Sequence, residues 1–331
     1  FQKGGTKMEY VKLGNTGMDV SKICLGCMSF GDPKNWVHSW VLEEEESRVI
    51  IKKALDLGIN FFDTANVYSI GRSEEILGKA LKDFGKRDEL VIASKIHGKM
   101  FDGPNGQGLS RKAIISEIDK SLKRLGTDYL DLYIAHRWDY DTPIEETMEA
   151  FHDIVKAGKV RYIGASAMHT WQFQKAIYTA ERNGWTKFIS MQNHLNLIYR
   201  EEEREMLPFC KENKIAITPY SPLASGRLLR DFSETTKRLE TDTIAKYKYD
   251  STAESDRVII NRVAEIANKY GVPRINVALA WLFDKNAIPV IGATKISQIE
   301  DAVGALSFKL SSEDILYLEE AYVPHKIVGF K

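Results

Sequence analysis

The stretch NFFDTANVYSIGRSEE, residues 60–75, ends an apolar strand-like run at Asp63 and places Tyr68 five residues on, just ahead of a helix start. Aspartate commonly opens turns and caps helices, and a tyrosine can simply pack a loop. Other apolar runs end less ordinarily: IASK stops at Lys95, DLYIAH at His136, RYIGAS at Ser166, ISMQ at Gln192, ITPYS at Tyr220 and Ser221, and PVIGAT at Gly292 and Thr294. Lysine, histidine and glutamine are not turn formers, so their recurrence at strand ends asks for a chemical reason. A phenol titrates near about pH 10 and is a poor acid at neutrality unless a cation steadies its phenolate. Lys95 can be that cation. Asp63 is the counter-charge that a partly buried ammonium needs. His136 can hydrogen-bond a substrate oxygen in a tautomer that the sequence does not reveal. The set suits proton transfer to a carbonyl oxygen that becomes an alkoxide. The carbon then needs a hydride, which no side chain supplies, so a nicotinamide cofactor is implied.

Such a set works only if one architecture converges the strand ends. Strands are expected near KICLG, NFFD, LVIASK, YLDLYIAH, VRYIGAS, FISMQ, IAITPYS and IPVIGAT. Helical patterns alternate with them at 43–57, 73–84, 110–125, 145–157, 170–182, 201–212, 257–283 (a pair broken near Gly271 and Pro273) and 297–305. Strict alternation implies parallel pairing through right-handed crossovers, and eight such units predict an α/β fold closed as a (β/α)8 TIM barrel. In that fold, chemistry gathers at the strand C-termini, where the residues above would lie. EYVKLGNTGMDVS, with its Asn-Thr-Gly turn, predicts an N-terminal β-hairpin. The charged, hydroxyl-rich stretch 224–256 after the seventh strand is a long connection, expected to be a mobile loop or lid. No linker divides the chain, so residues 8–331 read as one domain, and FQKGGTK at 1–7 as a leader or appended stretch.

Composition narrows the partners. Among 331 residues, Lys plus Arg and Asp plus Glu both number 46, which argues against a nucleic-acid footprint and favours small-molecule substrates. No apolar run approaches the roughly eighteen residues of a membrane span, and no signal-peptide core is present, so a cytoplasmic protein without membrane contact is expected. Cys24 and Cys27 are spaced C-x-x-C but lie in the apolar run KICLGCM without a second ligand pair, and His38 and His97 lack a third ligand, reading as surface loop residues. No metal site is expected. The oligomeric state is not encoded in any feature found.

NFFDTANVY with the following Gly71-Arg72-Ser73-Glu74, IASK and DLYIAHRWD together resemble the aldo-keto reductase superfamily, over nearly the whole chain from Met8. That resemblance implies a (β/α)8 barrel using NADPH to reduce aldehydes or ketones, with Tyr68 as acid/base, Lys95 lowering its pKa, Asp63 pairing with Lys95, and His136 orienting the carbonyl. No strand-to-helix G-x-G-x-x-G occurs, and GPNGQG at 103–108 lacks that context. The resemblance instead implies that Ser166 and Gln192 hold the carboxamide, with Ala167 beside them at the cofactor, and that Tyr220 stacks on the nicotinamide. SPLASGR implies Ser221, Pro222, Leu223, Ala224 and Ser225 at the pyrophosphate, and GATKISQIEDA implies Gly292, Thr294, Gln298 and Asp301 at the adenosine phosphate. Cys27 and Met28, after the first strand, are implied beside the cofactor.

Three positions depart from the pattern. Ala167 stands where Asn is frequent, removing a hydrogen bond of roughly 1 kcal/mol. Ala302 follows Asp301 where Asn is frequent, and near the 2′-phosphate the segment offers Gln298 and Lys295 in place of the usual Arg or Lys. NADPH preference is thus less firmly written than nicotinamide binding, NADH remaining open. Arg227, Arg230 and Arg238 can compensate from the long loop or belong to a solvated charged face. Trp36, Trp40 and Trp138 can form an aromatic substrate wall, or pack loops. Two other functions fit the same barrel. One is a cofactor-binding regulatory protein resembling potassium-channel β subunits; the other is a Schiff-base lyase using Lys95.

Overall fold

The computed structural model describes residues 7–330. Apart from Lys7, the stretch 1–7 lies outside the described residues. A short antiparallel hairpin, β1 (Tyr10–Lys12) and β2 (Asp19–Ser21), precedes eight parallel strands. These are β3 (Cys24–Gly26), β4 (Phe61–Asp63), β5 (Val91–Ile96), β6 (Leu130–Ala135), β7 (Val160–Ser166), β8 (Phe188–Gln192), β9 (Ala216–Ile217) and β10 (Val290–Gly292). They run in the order β10-β3-β4-β5-β6-β7-β8-β9. The N–H groups of Ile288 and Val290 donate to the carbonyls of Ile217 and Pro219 at 2.8 and 2.9 Å, which closes the last gap. The protein is a (β/α)8 barrel, and each expected strand is present.

Strands covered on both faces must be apolar throughout, and β5 and β6 are buried along their whole length. Inside the barrel, Cys24, Phe61, Val91, Ala93, Leu132 and Ile134 pack with Leu13 and Val20 of the hairpin. The hairpin is therefore a plug in the N-terminal end of the barrel, and the C-terminal end is left for chemistry.

The helices are α1 (Glu44–Asp56), α2 (Arg72–Phe84), α3 (Arg111–Leu125), α4 (Ile144–Lys156), α5 (Thr170–Asn183), α6 (Met206–Glu212), α7 (Lys237–Thr241), α8 (Thr243–Tyr249), α9 (Ala253–Tyr270), α10 (Arg274–Asp284), α11 (Ile296–Gly304) and α12 (Ser312–Glu319). Local chemistry sets their ends: the Ser110 hydroxyl accepts from the Ala113 N–H at 3.1 Å to start α3, and Gly126 at φ 65° stops it.

Two expectations need correction, and one helix was not expected. The helix read over 201–212 is a 3-10 turn at Glu201–Glu203 followed by α6. The stretch 224–256 is not an irregular loop: it holds a 3-10 run, α7, α8 and the first turn of α9, because Thr236 and Asp242 each accept from an N–H three residues on and nucleate short helices that periodicity does not show. A further helix, α12, follows the barrel; only two of its eight residues are buried, so it carries little apolar signal.

Candidate active site

Asp63 closes β4 and Lys95 lies near the end of β5, one strand over, so their side chains meet inside the C-terminal mouth. The Lys95 ammonium donates to Asp63 Oδ2 at 2.5 Å, to the Thr64 carbonyl at 2.9 Å and to Tyr68 Oη at 3.1 Å. An ammonium has three N–H donors, and here all three are engaged. Lys95 is fully buried and Asp63 is 2% exposed. Burial alone would lower the Lys95 pKa, yet Asp63 and Tyr68 outweigh it and hold the group above its ordinary range. A permanently charged, saturated ammonium is a poor imine-forming nucleophile, which argues against the lyase.

Lys95 spends a donor on the Tyr68 oxygen, so the phenolic proton stays free to point elsewhere. Burial raises the Tyr68 pKa, and Lys95 opposes it without prevailing. The expected lowering is therefore present as a contribution and not as the net result. At rest Tyr68 keeps its proton, and Lys95 exerts its pull as negative charge develops on the oxygen.

The Tyr68 loop is clamped on two sides. Ser69, Ile70 and Gly71 all adopt positive φ, a costly conformation for the first two. The Ser69 hydroxyl accepts from the Asp32 N–H at 2.8 Å, and a Cβ on Gly31 would fall 2.5 Å from Ser69. On the other side, a Cβ on Gly98 would fall 2.6 Å from Val67. Glycine at 31 and 98 lets the loops after β3 and β5 press on the Tyr68 loop.

His136 follows β6, and its ring meets Tyr68 edge-on with centroids 5.8 Å apart. Burial, then the charges of Lys95 and Arg137, push its pKa well below the ordinary histidine value. A neutral imidazole beside the phenol can donate one hydrogen bond but holds no proton to transfer at neutral pH. Trp36 is the tryptophan brought to this group, its ring 6.0 Å from Tyr68. Trp40 and Trp138 show no ring contact with Tyr68 among the described residues. Trp40 is buried beneath the Arg238 guanidinium at 4.2 Å, and Trp138 packs on Trp171 at 6.0 Å, over a small cavity lined by Leu109, Met168 and Phe188. His38 also departs from expectation: it is 4% exposed, wedged between Trp36 and Trp40, where aromatic packing outweighs its polarity.

On the cofactor side, the Ser166 hydroxyl donates to the Gln192 carbonyl at 2.7 Å, and Gln192 Nε2 donates to Asp63 Oδ1 at 2.9 Å. Of the implied carboxamide residues, Gln192 thus touches the charged pair directly, and Ser166 bonds Gln192. Ala167, at φ 44°, occupies a left-handed position that Asn or Gly tolerates better. Tyr220 is stacked by His194 at 5.1 Å and 11°, and the Lys248 ammonium lies 4.5 Å from the ring centroid. After Pro222 and Leu223, Ala224, Ser225 and Gly226 adopt positive φ, as does Ser221; Leu223–Ala224 is the kind of step that converges N–H groups on an anion. Cys27 is buried, its N–H donating to the Asp63 carbonyl at 2.7 Å, with Met28 half-buried beside it.

Near β10, Gly292 is exposed and Thr294 half-buried, while Asp301 lies exposed on α11. Gln298 Oε1 accepts from the N–H groups of Thr294 and Lys295 at 2.8 and 3.1 Å, so it caps α11. Arg230 donates to the Gly226 carbonyl at 3.0 Å. Arg238 contacts Asp242 at 3.4 Å, and His38 Nδ1 lies 3.9 Å from the same carboxylate. These contacts join the stretch after β9 to the loop after β3, and β10 lies between those strands. The stretch is a strap across the end of β10. Neither His38, Asp242, His194, Tyr249 nor Lys248 was singled out for the site from the sequence; the one available signal was the unusual length of the connection.

No group of three or more His, Cys, Asp or Glu able to hold a metal occurs among the described residues. No helix among them is long and apolar enough to cross a membrane.

A barrel with this Asp, Tyr, Lys and His at successive strand ends defines a class of carbonyl-handling oxidoreductase. Residues 22–323 match the model of the aldo/keto reductase family, and the chain belongs to that family as an NAD(P)H-dependent oxidoreductase. It is 46% identical to a versiconal hemiacetal acetate reductase of Aspergillus parasiticus, over 97% of this chain and 98% of that one. An aldo-keto reductase of Metarhizium robertsii is 44% identical over 98% of this chain and 94% of its own, and one of Fusarium vanettenii 41% over 98% and 94%.

Proposed function

We propose that the protein reduces the carbonyl of an aldehyde or ketone to an alcohol, with NADPH as the preferred dinucleotide and Tyr68 as the proton donor, in the cytoplasm. The observation that carries this reading is the saturation of Lys95 by Asp63, Thr64 and the Tyr68 oxygen, which leaves the phenolic proton available to a substrate. When bound, the nicotinamide supplies hydride to the carbonyl carbon. Tyr68 gives its proton to the oxygen, Lys95 steadies the emerging phenolate, and neutral His136 donates a hydrogen bond that orients the carbonyl. Asp63 keeps Lys95 charged.

The residues present fit a nicotinamide dinucleotide. Tyr220 offers one ring face once Lys248 yields it, Ser166 and Gln192 lie at adjoining strand ends, the left-handed run 224–226 can meet a diphosphate, and the strap crosses the way to β10. Lys295, exposed at the start of α11, is the cation placed to meet a 2′-phosphate. Trp36 forms one wall of the substrate site, favouring carbonyls with a flat apolar group. The name of the Aspergillus relative accords with this, since a hemiacetal masks a carbonyl. The experiment is Tyr68→Phe with a panel of aldehydes and ketones followed by NADPH absorbance. Turnover should fall about a hundred- to ten-thousandfold with NADPH binding retained. Near-normal turnover in the folded variant would overturn the assignment.

A further inference from the structure

Lys248 has no role in the proton-transfer chemistry, yet it stands in the mouth. Its ammonium lies over the Tyr220 ring, 4.5 Å from the centroid. Among the described residues it has no hydrogen bond or ion pair, only the ring. The groups that face it are Arg137 from the loop after β6, Arg238 and Asp242 from the strap, and the His136 and His194 imidazoles, whose protonation it disfavours. Burial and Arg137 lower its own pKa to about 8, against the pull of Asp242.

This lysine cannot withdraw far. It lies on α8, whose next residue, Tyr249, is bonded through its hydroxyl to His194 Nε2 at 2.7 Å and to Asn196 Nδ2 at 3.1 Å. A planar ring that takes the Tyr220 face displaces the ammonium only as far as its four-carbon stem allows, so the charge stays near the ring's edge. The reduced nicotinamide ring is neutral, whereas the oxidised ring is a cation. The two forms differ little in shape but by a full unit of charge at the place Lys248 faces.

We propose that Lys248 discriminates between the redox forms of the dinucleotide, favouring the reduced form and expelling the oxidised one, and so biases the enzyme toward reduction. The inference rests on the placement of nicotinamide against Tyr220. Like unit charges about 7 Å apart, at an effective dielectric of about 20, weaken binding by more than tenfold, and screening brings the expected preference to about tenfold.

The test is the ratio of Kd for NADP+ to Kd for NADPH, measured by quenching of tryptophan fluorescence without turnover. In the parent the ratio should be high near about pH 7 and fall toward about pH 9.5, as an ammonium titrating near 8 loses its proton. Lys248→Met should lower it about tenfold and make it independent of pH, and Lys248→Arg should keep it high throughout. A Lys248→Met ratio within about twofold of the parent would overturn the inference. If that variant does not fold, a parental ratio at or below one near about pH 7 would overturn it equally. Tyr220→Ala separates this failure from that of the underlying site: if it weakens neither form, nicotinamide does not rest on Tyr220 and both readings fall.

Discussion

Replacing Lys95 by methionine keeps an unbranched stem and deletes three donors at once. The change leaves Asp63, 2% exposed, with Gln192 Nε2 as its remaining side-chain donor, and leaves the Thr64 carbonyl without its lysine partner. Breaking a buried ion pair from one side typically costs about 3–5 kcal/mol, and the surviving Gln192 bond places this case near about 3. For a chain of this size that lowers Tm by about 4 °C. The sign with pH follows from Lys95 itself. Its pKa is raised above the ordinary 10.5, so its share of stability is present below that value and declines as pH climbs through the higher folded one. Parent and variant should therefore differ most at neutral and mildly alkaline pH and converge in strong alkali. Asp63→Asn combined with Lys95→Met removes both charges and should recover most of the lost stability without recovering turnover. Any residual activity of Lys95→Met should persist to higher pH than in the parent, because Lys95 is what lowers the Tyr68 pKa against burial. Thermal melts across pH and a pH–rate profile read both effects. A single variant melting within about 2 °C of the parent at neutral pH, or a double variant no more stable than the single, would refute the reasoning.

Three further outcomes are expected. Proteolysis within 229–256 should slow when saturating NADPH is present, if the strap crosses the proposed dinucleotide path; equal cleavage with and without it would remove that role. Trp36→Ala should raise KM several-fold for flat aromatic aldehydes and little for small aliphatic ones, and a uniform change would show that the ring supports the loop alone. Lys295→Ala should weaken NADPH several-fold and leave NADH unaffected, while equal losses would place the 2′-phosphate elsewhere.

The barrel was legible because alternation of apolar runs and amphipathic segments is a local property, and the strand ends gave Asp63, Lys95 and His136 together with a reason for their types. Burial competes with charge in ways that spacing does not reveal. Lys95 does pull on Tyr68, but whether that pull exceeds desolvation depends on how deeply the phenol sits. His38 reads as a loop histidine until two tryptophans close on it. Gln298 matched a ligand-binding segment, and its oxygen is spent capping its own helix. The strap was visible only as excess length, because α7 and α8 are too short for periodicity to mark and owe their ends to Thr236 and Asp242.

Gln192 gives the site its unity. One of its N–H groups is held by Asp63 Oδ1, while Asp63 Oδ2 holds Lys95, and Lys95 holds the Tyr68 oxygen. A residue implied in binding the carboxamide is thereby the fourth member of a continuous chain that ends on Tyr68, the proposed proton donor. The barrel explains why this is possible: β4, β5 and β8 end on the same rim, and their terminal side chains point into one mouth across which Gln192 reaches Asp63. In such a chain, a dinucleotide that draws on Gln192 also changes the hydrogen bonding of Asp63, and through it the field that Lys95 exerts on Tyr68. On the proposed roles, cofactor recognition and proton donation are then two ends of one buried polar network, and cofactor binding would retune the hydrogen bonding of Tyr68.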